Sequence, residues 1–347
     1  MQKVLAKIDL KHIRENTSAW KSLCGVPITA VVKADAYGHG AEQVVCALNG
    51  VADAFAVSLL DEAKAVRVAA CGKNILILTP PVNGQEIAEC IWNGFSFTVP
   101  DLYTAKQTAE IAAKQRLPAR VHLKTNTGMN RYGMHLSMLG KVCKFLLSQP
   151  NVRVEGMYSH LYGHTLAQAQ EQRVRFLQMQ SVCKRYFPDA QCHLSATYGA
   201  LLGKEFAFDG VRIGLGLYGY IPADSRDIDE RTLSALNLRK GMTVWTTAVC
   251  SRRYSRGENG YYPSSVHVEK GESISVLRAG YADGIVRSDT ALGSVCMDAC
   301  IVTGRKRRGK QVAVFTDADE TAMRNHTISY ETLCNATRRA ERVYVYE

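Results

Sequence analysis

The chain has 347 residues, of which 46% are hydrophobic and 22% are charged. This composition is typical of a globular protein, and the length is sufficient for two domains. No apolar run approaches the roughly 18 residues of a membrane span, and the charged N-terminus lacks the apolar core of a signal peptide, so we expect a cytoplasmic protein without a membrane segment.

The net charge of +11 comes mostly from scattered cations. The one dense run, at 305–308 between two glycines, is typical of a solvated hairpin tip, so we expect no nucleic-acid partner. The eleven cysteines include no Cys-x-x-Cys pair. This pattern indicates reduced thiols and no metal site.

The first two thirds of the chain alternate between short β-branched runs and helix-like stretches. We interpret eight runs as strands: Ile28–Val32, Ala54–Ser58, Ile75–Thr79, Phe95–Val99, Arg120–Thr125, Val152–Ser159, Gln191–Ser195 and Gly210–Leu217. Helical patterns between them include Leu60–Ala70, Leu102–Gln115, Met138–Ser148 and Gln170–Tyr186. Eight such units predict an α/β domain with the (β/α)₈ TIM-type barrel, with a doubly wound sheet as the alternative.

The pattern changes after about residue 221, where strand-like runs follow one another with little helix between them. These runs are Thr243–Cys250, Ser273–Leu277, Ser294–Val302 and Gln311–Phe315. We therefore predict a barrel domain over 1–222 and a mostly β domain over 223–347. Residues 1–10 also include a strand pattern, and we expect this strand to belong to the second domain.

Unusual polar residues follow the predicted barrel strands, at the end where barrel enzymes place their function. They are Lys33, Lys124, Arg131, His160, Thr197 and Arg212. A lysine that ends an apolar strand is suited to covalent imine chemistry. Small, glycine-rich strand ends near residues 197 and 214 suit a phosphate. Together these features suggest pyridoxal 5'-phosphate (PLP) as cofactor.

Several motifs resemble those of the alanine racemases, which are PLP enzymes of fold type III. AVVKADAYGHG is similar to the PLP-lysine motif of that family, and LKTNTGMNRYG, VRIGLGLYG, GYADG, VCMD and the late Ile-Ser-Tyr-Glu follow in the family's order. The resemblance covers nearly the whole chain. It implies an isomerase that interconverts L-alanine and D-alanine and supplies D-alanine for peptidoglycan.

The resemblance also implies roles for individual residues. Lys33 would bind PLP covalently and serve as one acid–base group. Arg212 would pair with the pyridine nitrogen, and His160 would hydrogen-bond and orient that arginine. The residues implied at the cofactor phosphate are Tyr37, Thr197, Gly214, Leu215 and Tyr330.

Four further residues have implied roles near the substrate. Arg131 and the backbone N–H of Met297 would bind the substrate carboxylate, and Tyr281 would line the entrance. Lys124 matches a lysine that is carbamylated in some members, where it holds the arginine matching Arg131. Asn126 stands where the family usually has aspartate. This difference bears on how Lys124 and Arg131 are held in place.

The resemblance implies a second base on the opposite face of the substrate, because racemisation needs one group to remove the proton and another to return it. Tyr261 matches this tyrosine and would come from the other subunit of a homodimer. Tyr262 stands where glycine is usual, so a one-residue shift to Tyr262 is the alternative.

Two rival functions follow from the sequence. The vancomycin-resistance serine racemases resemble this catalytic domain, but they have asparagine where Tyr330 stands and carry a membrane domain. Alanine is therefore favoured over serine, with a broad amino-acid specificity as a variant. A non-catalytic PLP carrier is the rival from another class, and it would have no use for a second base.

Overall fold

The computed structural model describes residues 4–163, 165–222, 228–260, 266–287, 289 and 292–347. The strands, numbered along the chain, are β1 (Leu5–Asp9), β2 (Ile28–Val31), β3 (Ala54–Val57), β4 (Ile75–Ile77), β5 (Ser96–Val99), β6 (Ala119–Lys124), β7 (Val152–Tyr158), β8 (Gln191–His193), β9 (Val211–Ile213), β10 (Met242–Arg253), β11 (Glu258–Gly260), β12 (Val266–Val268), β13 (Ser273–Leu277), β14 (Cys300–Thr303), β15 (Gln311–Phe315) and β16 (Glu341–Val345).

The helices, numbered in the same way, are α1 (Leu10–Cys24), α2 (Lys33–Tyr37), α3 (Ala41–Leu48), α4 (Leu60–Val66), α5 (Gly84–Trp92), α6 (Leu102–Gln115), α7 (Leu136–Leu147), α8 (Leu166–Tyr186), α9 (Thr197–Leu201), α10 (Glu230–Leu236), α11 (Ala318–Arg324) and α12 (Ser329–Asn335). None of them, within the described ranges, is long and apolar enough to cross a membrane.

Strands β2 to β9 form a nearly closed parallel barrel in the order β8-β7-β6-β5-β4-β3-β2-β9. The remaining seam is bridged by hydrogen bonds from Asp209 N to Cys192 O and from Arg212 N to Ser195 O, each 3.0 Å. Strands that are buried on both faces consist of continuous apolar residues. The sequence pattern of the barrel strands is therefore easy to recognise. The predicted TIM-type barrel with a separate, mostly β C-terminal part is confirmed.

The last barrel strand is shorter than the sequence pattern predicts. Only Val211–Ile213 is strand, because a 3₁₀ helix over Leu215–Tyr218 follows Gly214 directly. The apolar character of this segment therefore reflects burial in a turn as well as in a strand. This turn brings Gly216 N to within 3.2 Å of Thr197 Oγ1, which follows β8.

The second sheet contains strands from both ends of the chain. Its order is β14-β13-β10-β1-β16, and β15 also pairs with β10. Strand β1 is antiparallel to β10 and parallel to β16. The domain boundary expected at 222 stays a prediction, since residues 223–227 lie outside the described part.

Segment 304–309 differs from its predicted form. It joins β14, which pairs with β13, to β15, which pairs with β10. The basic run thus connects strands that have different partners, and the hairpin interpretation is wrong. Glycines at both ends, each with positive φ, explain why the sequence resembled a hairpin tip.

Candidate active site

The predicted site residues of the barrel follow the carboxyl ends of its strands. Lys33 comes two residues after β2, Lys124 is the last residue of β6, and His160 follows β7 by two residues. Thr197 begins the short helix after β8, and Arg212 lies within β9. Because the strands are parallel, these positions share one rim of the barrel.

The segment that begins with Lys33 is a left-handed turn. Residues 34 to 37 all have positive φ, between 50° and 54°, a conformation that costs a non-glycine residue roughly 1–2 kcal/mol. Neighbouring groups compensate for this cost. Arg342 Nε and Thr337 Oγ1 both donate to Gly38 O, at 2.8 and 3.0 Å, and Arg342 pairs with Asp35 at 2.6 Å.

The turn places the buried Tyr37 ring beside the start of the 3₁₀ helix. A Cβ on Gly214 would lie 2.6 Å from Tyr37 Oη, so only glycine leaves room for this phenol. The ring of Tyr330 lies 5.9 Å from that of Tyr37, centroid to centroid. Thr197 Oγ1 accepts a hydrogen bond from Gly216 N at 3.2 Å.

Burial keeps both phenols protonated. It raises the pKa of Tyr37 well above its usual range and raises the pKa of Tyr330 to about 12. A protonated phenol is a hydrogen-bond donor. Tyr37 and Tyr330 can therefore donate to an anion at this end of the barrel.

Arg212 is held by the barrel through four hydrogen bonds. Nη1 donates to His193 Nδ1 at 2.5 Å and to His193 O at 3.0 Å. Nη2 donates to Ser159 O at 2.7 Å and to Leu194 O at 3.0 Å. An arginine has five N–H donors. The fifth, Nε–H, has no hydrogen-bond partner among the described residues.

The bond expected between His160 and Arg212 is not formed within the described structure. His193, which sequence reasoning missed, contacts the guanidinium instead. A histidine inside the predicted strand Gln191–Ser195 carried no distinctive signal. Burial, together with the nearby charges of Arg212, Lys124, Arg131 and Lys33, lowers the pKa of His160 to about 3, so its ring is neutral.

Two lysines at the rim have lowered pKa values. Burial, followed by the charge of Arg131, lowers the pKa of Lys33. Burial, followed by the charges of Arg212 and Arg131, lowers the pKa of Lys124 to about 7, and Lys124 Nζ donates to Thr125 O at 2.7 Å. Both lysines are therefore more easily deprotonated than an exposed lysine.

Asn126 organises the loop that leads to Arg131. Its Oδ1 accepts from Gly128 N at 3.0 Å and Asn130 N at 3.1 Å, and its Nδ2 donates to Asn130 Oδ1 at 2.8 Å. An aspartate could accept the two backbone bonds but could not donate the third. Arg131 itself is exposed, with its guanidinium 5.6 Å from the ring centre of Tyr132.

The predicted residues of the second domain are less fully located. Tyr281 and Met297 are 41% and 54% exposed, and Ala282 N donates to Met297 O at 3.1 Å, so the two segments lie side by side. Within the described ranges, neither side chain is hydrogen-bonded to the barrel residues above. Tyr261 and Tyr262 lie outside the described residues, between β11 and β12.

Comparison with known proteins identifies the class. Residues 8–222 match the model of the alanine racemase N-terminal domain, and residues 241–344 match that of the C-terminal domain. The chain belongs to the alanine racemase family.

Individual relatives agree with this assignment over the full length. The alanine racemase of Clostridium tetani is 30% identical, covering 99% of this chain and 96% of the relative. That of Desulfovibrio desulfuricans is 31% identical, covering 99% and 98%. Among solved structures, the alanine racemase of Clostridium difficile 630 superposes with a TM-score of 0.92 at 27% identity, covering 100% and 96%. The biosynthetic alanine racemase of Pseudomonas aeruginosa gives 0.88 at 28%, covering 100% of both chains.

Proposed function

We propose that this protein is a PLP-dependent racemase that interconverts L-alanine and D-alanine and supplies D-alanine for peptidoglycan. The observation that carries the proposal is the remaining donor of Arg212. Four of its N–H groups are bonded to the barrel, and Nε–H is left for an acceptor at the same rim as Lys33. The unprotonated nitrogen of a pyridine ring is such an acceptor.

The other residues at the rim fit the rest of the cofactor. Tyr37 and Tyr330 supply phenol donors for its phosphate, and Thr197 supplies a hydroxyl. The bare Cα of Gly214 allows Tyr37 Oη to approach. We expect the backbone N–H groups of Gly214 and Leu215 to add donors for the phosphate. Lys33 is the lysine for covalent attachment.

The mechanism uses two proton-transfer groups. PLP, when bound, delocalises the electrons left at the substrate Cα after deprotonation. Lys33 takes or returns the proton on one face, and its lowered pKa increases the neutral fraction able to accept it. Tyr261, contributed by the other subunit of a homodimer, does the same on the opposite face. Burial lowers the pKa of Arg212 only to about 10, so Arg212 stays charged at neutral pH.

The remaining site assignments belong to the same proposal. Arg131 and the N–H of Met297 bind the substrate carboxylate, and Tyr281 lines the entrance. His160 lies beside the cofactor as a neutral ring. Lys124, with its lowered pKa, is suited to carbamylation, since a neutral amine is the form that reacts with carbon dioxide. We place the enzyme in the cytoplasm.

The test is a racemase assay with L-alanine and L-serine side by side, using the PLP-loaded protein. We expect racemisation with alanine preferred, and we expect Lys33→Ala to lose both activity and the visible absorbance of bound cofactor. Faster turnover of serine would assign the enzyme to the serine class. Cofactor binding without racemisation of either amino acid would indicate a carrier.

Mixed subunits test the second base. Lys33→Ala and Tyr261→Phe should each be inactive alone. Mixed dimers should regain about a quarter of wild-type activity, because about half the dimers then have one intact site of two. If the mixed dimers recovered no activity, or if Tyr261→Phe alone were fully active, Tyr261 would not be the second base. Tyr262 would then be the next residue to test.

A further inference from the structure

Arg212 belongs to a chain of buried hydrogen bonds that leads away from the proposed cofactor site. Its Nη1 bonds His193 Nδ1 at 2.5 Å, and His193 Nε2 bonds His122 Nδ1 at 3.0 Å. All three side chains are at most 7% exposed. His122 lies in the middle of β6, and neither the sequence motifs nor the proposed mechanism gives it a role.

The chemistry of the groups determines the direction of every bond in this chain. Arginine can only donate, so His193 Nδ1 must accept and carries no proton. A neutral imidazole then has its proton on the other nitrogen, so His193 Nε2–H donates to His122 Nδ1. His122 Nδ1 is thus an acceptor, and the His122 proton lies on Nε2. Burial lowers the pKa of His122 to about 4 and lowers the pKa of His193 well below its usual range, which is consistent with two neutral rings.

The barrel is locally adapted to seat His122. A Cβ on Gly156 of β7 would lie 2.6 Å from both Cε1 and Nδ1 of His122, so this neighbour has to be glycine. The pairing of β6 with β7 shifts register between Val121 and His122. The ring of Tyr158 stacks on His193, with centroids 5.1 Å apart and an interplanar angle of 3°. These features restrict the two imidazoles to one relative arrangement.

The hydrogen-bond chain ends at His122, which lines a cavity at the face of the barrel opposite the proposed site. His122 lines a cavity of about 710 Å³ together with Arg120 and Glu155, near the strand starts. Arg120 Nε donates to Glu155 Oε1 at 2.8 Å. The Glu155 charge raises the pKa of His122, against the larger lowering by burial. The two histidines therefore connect this cavity to Arg212.

We propose that His122 is a positioning residue: Arg212 fixes the Nε2–H tautomer of His193, and His122 Nδ1 accepts that N–H, so that the His193 ring stays in place and holds Arg212 with Nε–H directed at the cofactor ring. This inference rests on the proposed function for its catalytic consequence. The hydrogen bond between the two histidines is a property of the protein that can be measured without any turnover.

The test compares His122→Asn with His122→Leu in the PLP-loaded enzyme. Asparagine Oδ1 lies near the position of histidine Nδ1 and can accept the bond, whereas leucine cannot. Val121→Ala, a buried change on the same strand, serves as the control for loss of packing. The tautomer of His193 and the shift of its Nε2–H proton are read from ¹H–¹⁵N NMR of histidine-labelled protein, assigned with a His193→Asn variant.

We expect His193 to be the Nε2–H tautomer in wild type and in all three variants, since Arg212 donates to its Nδ1. The Nε2–H proton should be shifted downfield by its hydrogen bond in wild type, His122→Asn and Val121→Ala, and should lose this shift in His122→Leu. We expect kcat of His122→Leu to fall about 10-fold, because a buried N–H loses its acceptor. His122→Asn should stay within about 2-fold of wild type.

Three results would overturn the inference: an Nδ1–H tautomer of His193 in wild type, an unchanged Nε2–H proton shift in His122→Leu, or a His122→Asn variant as impaired as His122→Leu. Failure of the proposed function is a separate result. In that case wild type would lack racemase activity while the NMR spectra still showed the predicted hydrogen bond.

Discussion

Replacing Ala34 by glycine is expected to stabilise the protein, against the usual direction of this substitution. Ala34 has φ 50° and ψ 49° and is exposed, so glycine removes left-handed strain of about 1–2 kcal/mol without removing a buried methyl group. The greater freedom of glycine in the unfolded chain opposes this gain by about 0.5–1 kcal/mol. The net expectation is an increase of about 0.5–1 kcal/mol in the free energy of unfolding.

A matched control exists in α6. Ala113 is also exposed but lies in a right-handed helix, where alanine-to-glycine costs about 1 kcal/mol. Urea unfolding of the PLP-loaded enzyme, followed by circular dichroism, measures both variants. The midpoint should rise for Ala34→Gly and fall for Ala113→Gly. If both midpoints fell equally, the left-handed turn at 34–37 would not exist in the native protein.

Two further predictions concern the barrel mouth. Gly214→Ala places a methyl group 2.6 Å from Tyr37 Oη, so we expect about 1–3 kcal/mol of overpacking cost. Because we propose that Tyr37 binds the cofactor phosphate, we also expect weaker PLP binding by equilibrium dialysis; unchanged affinity would remove this pair from the proposed phosphate site. The pKa of Lys124 falls from its ordinary 10.5 to about 7, so between these values the unfolded chain holds a proton that the native protein lacks. The free energy of unfolding of the wild type, relative to that of Lys124→Met, should therefore increase with pH across this window, by up to about 1.4 kcal/mol per pH unit. Urea titrations in carbonate-free buffer measure this difference. A difference that stays constant with pH would contradict the lowered pKa.

The barrel was predictable because its strands are short, apolar and separated by helical patterns. Each of the eight predicted runs overlaps a strand of the structure, with ends within a few residues except at Gly210–Leu217. The shared rim followed directly, since parallel strands end on the same side. Motifs such as AVVKADAYGHG then predicted Lys33 and Tyr37 as site residues.

Features that depend on distant contacts were not predictable. Nothing local in Ala34, Asp35 or Ala36 favours a left-handed turn; the turn is held by Arg342 and Thr337, about three hundred residues later. The partner of Arg212 was misassigned for a similar reason. Whether His160 or His193 meets the guanidinium depends on the twist of the barrel, which residue types alone do not specify.

The position of β1 has a consequence for how the protein is made. This strand precedes the barrel, yet its two neighbours, β10 and β16, follow the barrel, and it pairs Leu5 with Glu341. The barrel strands can associate as they emerge from the ribosome, whereas β1 keeps unpaired backbone edges until β10 and then β16 have been made. Such long-range pairing is slow and leaves edges open to aggregation. The second sheet is therefore completed only after β16 is available, and loss of β16 would also leave β1 unpaired on one side.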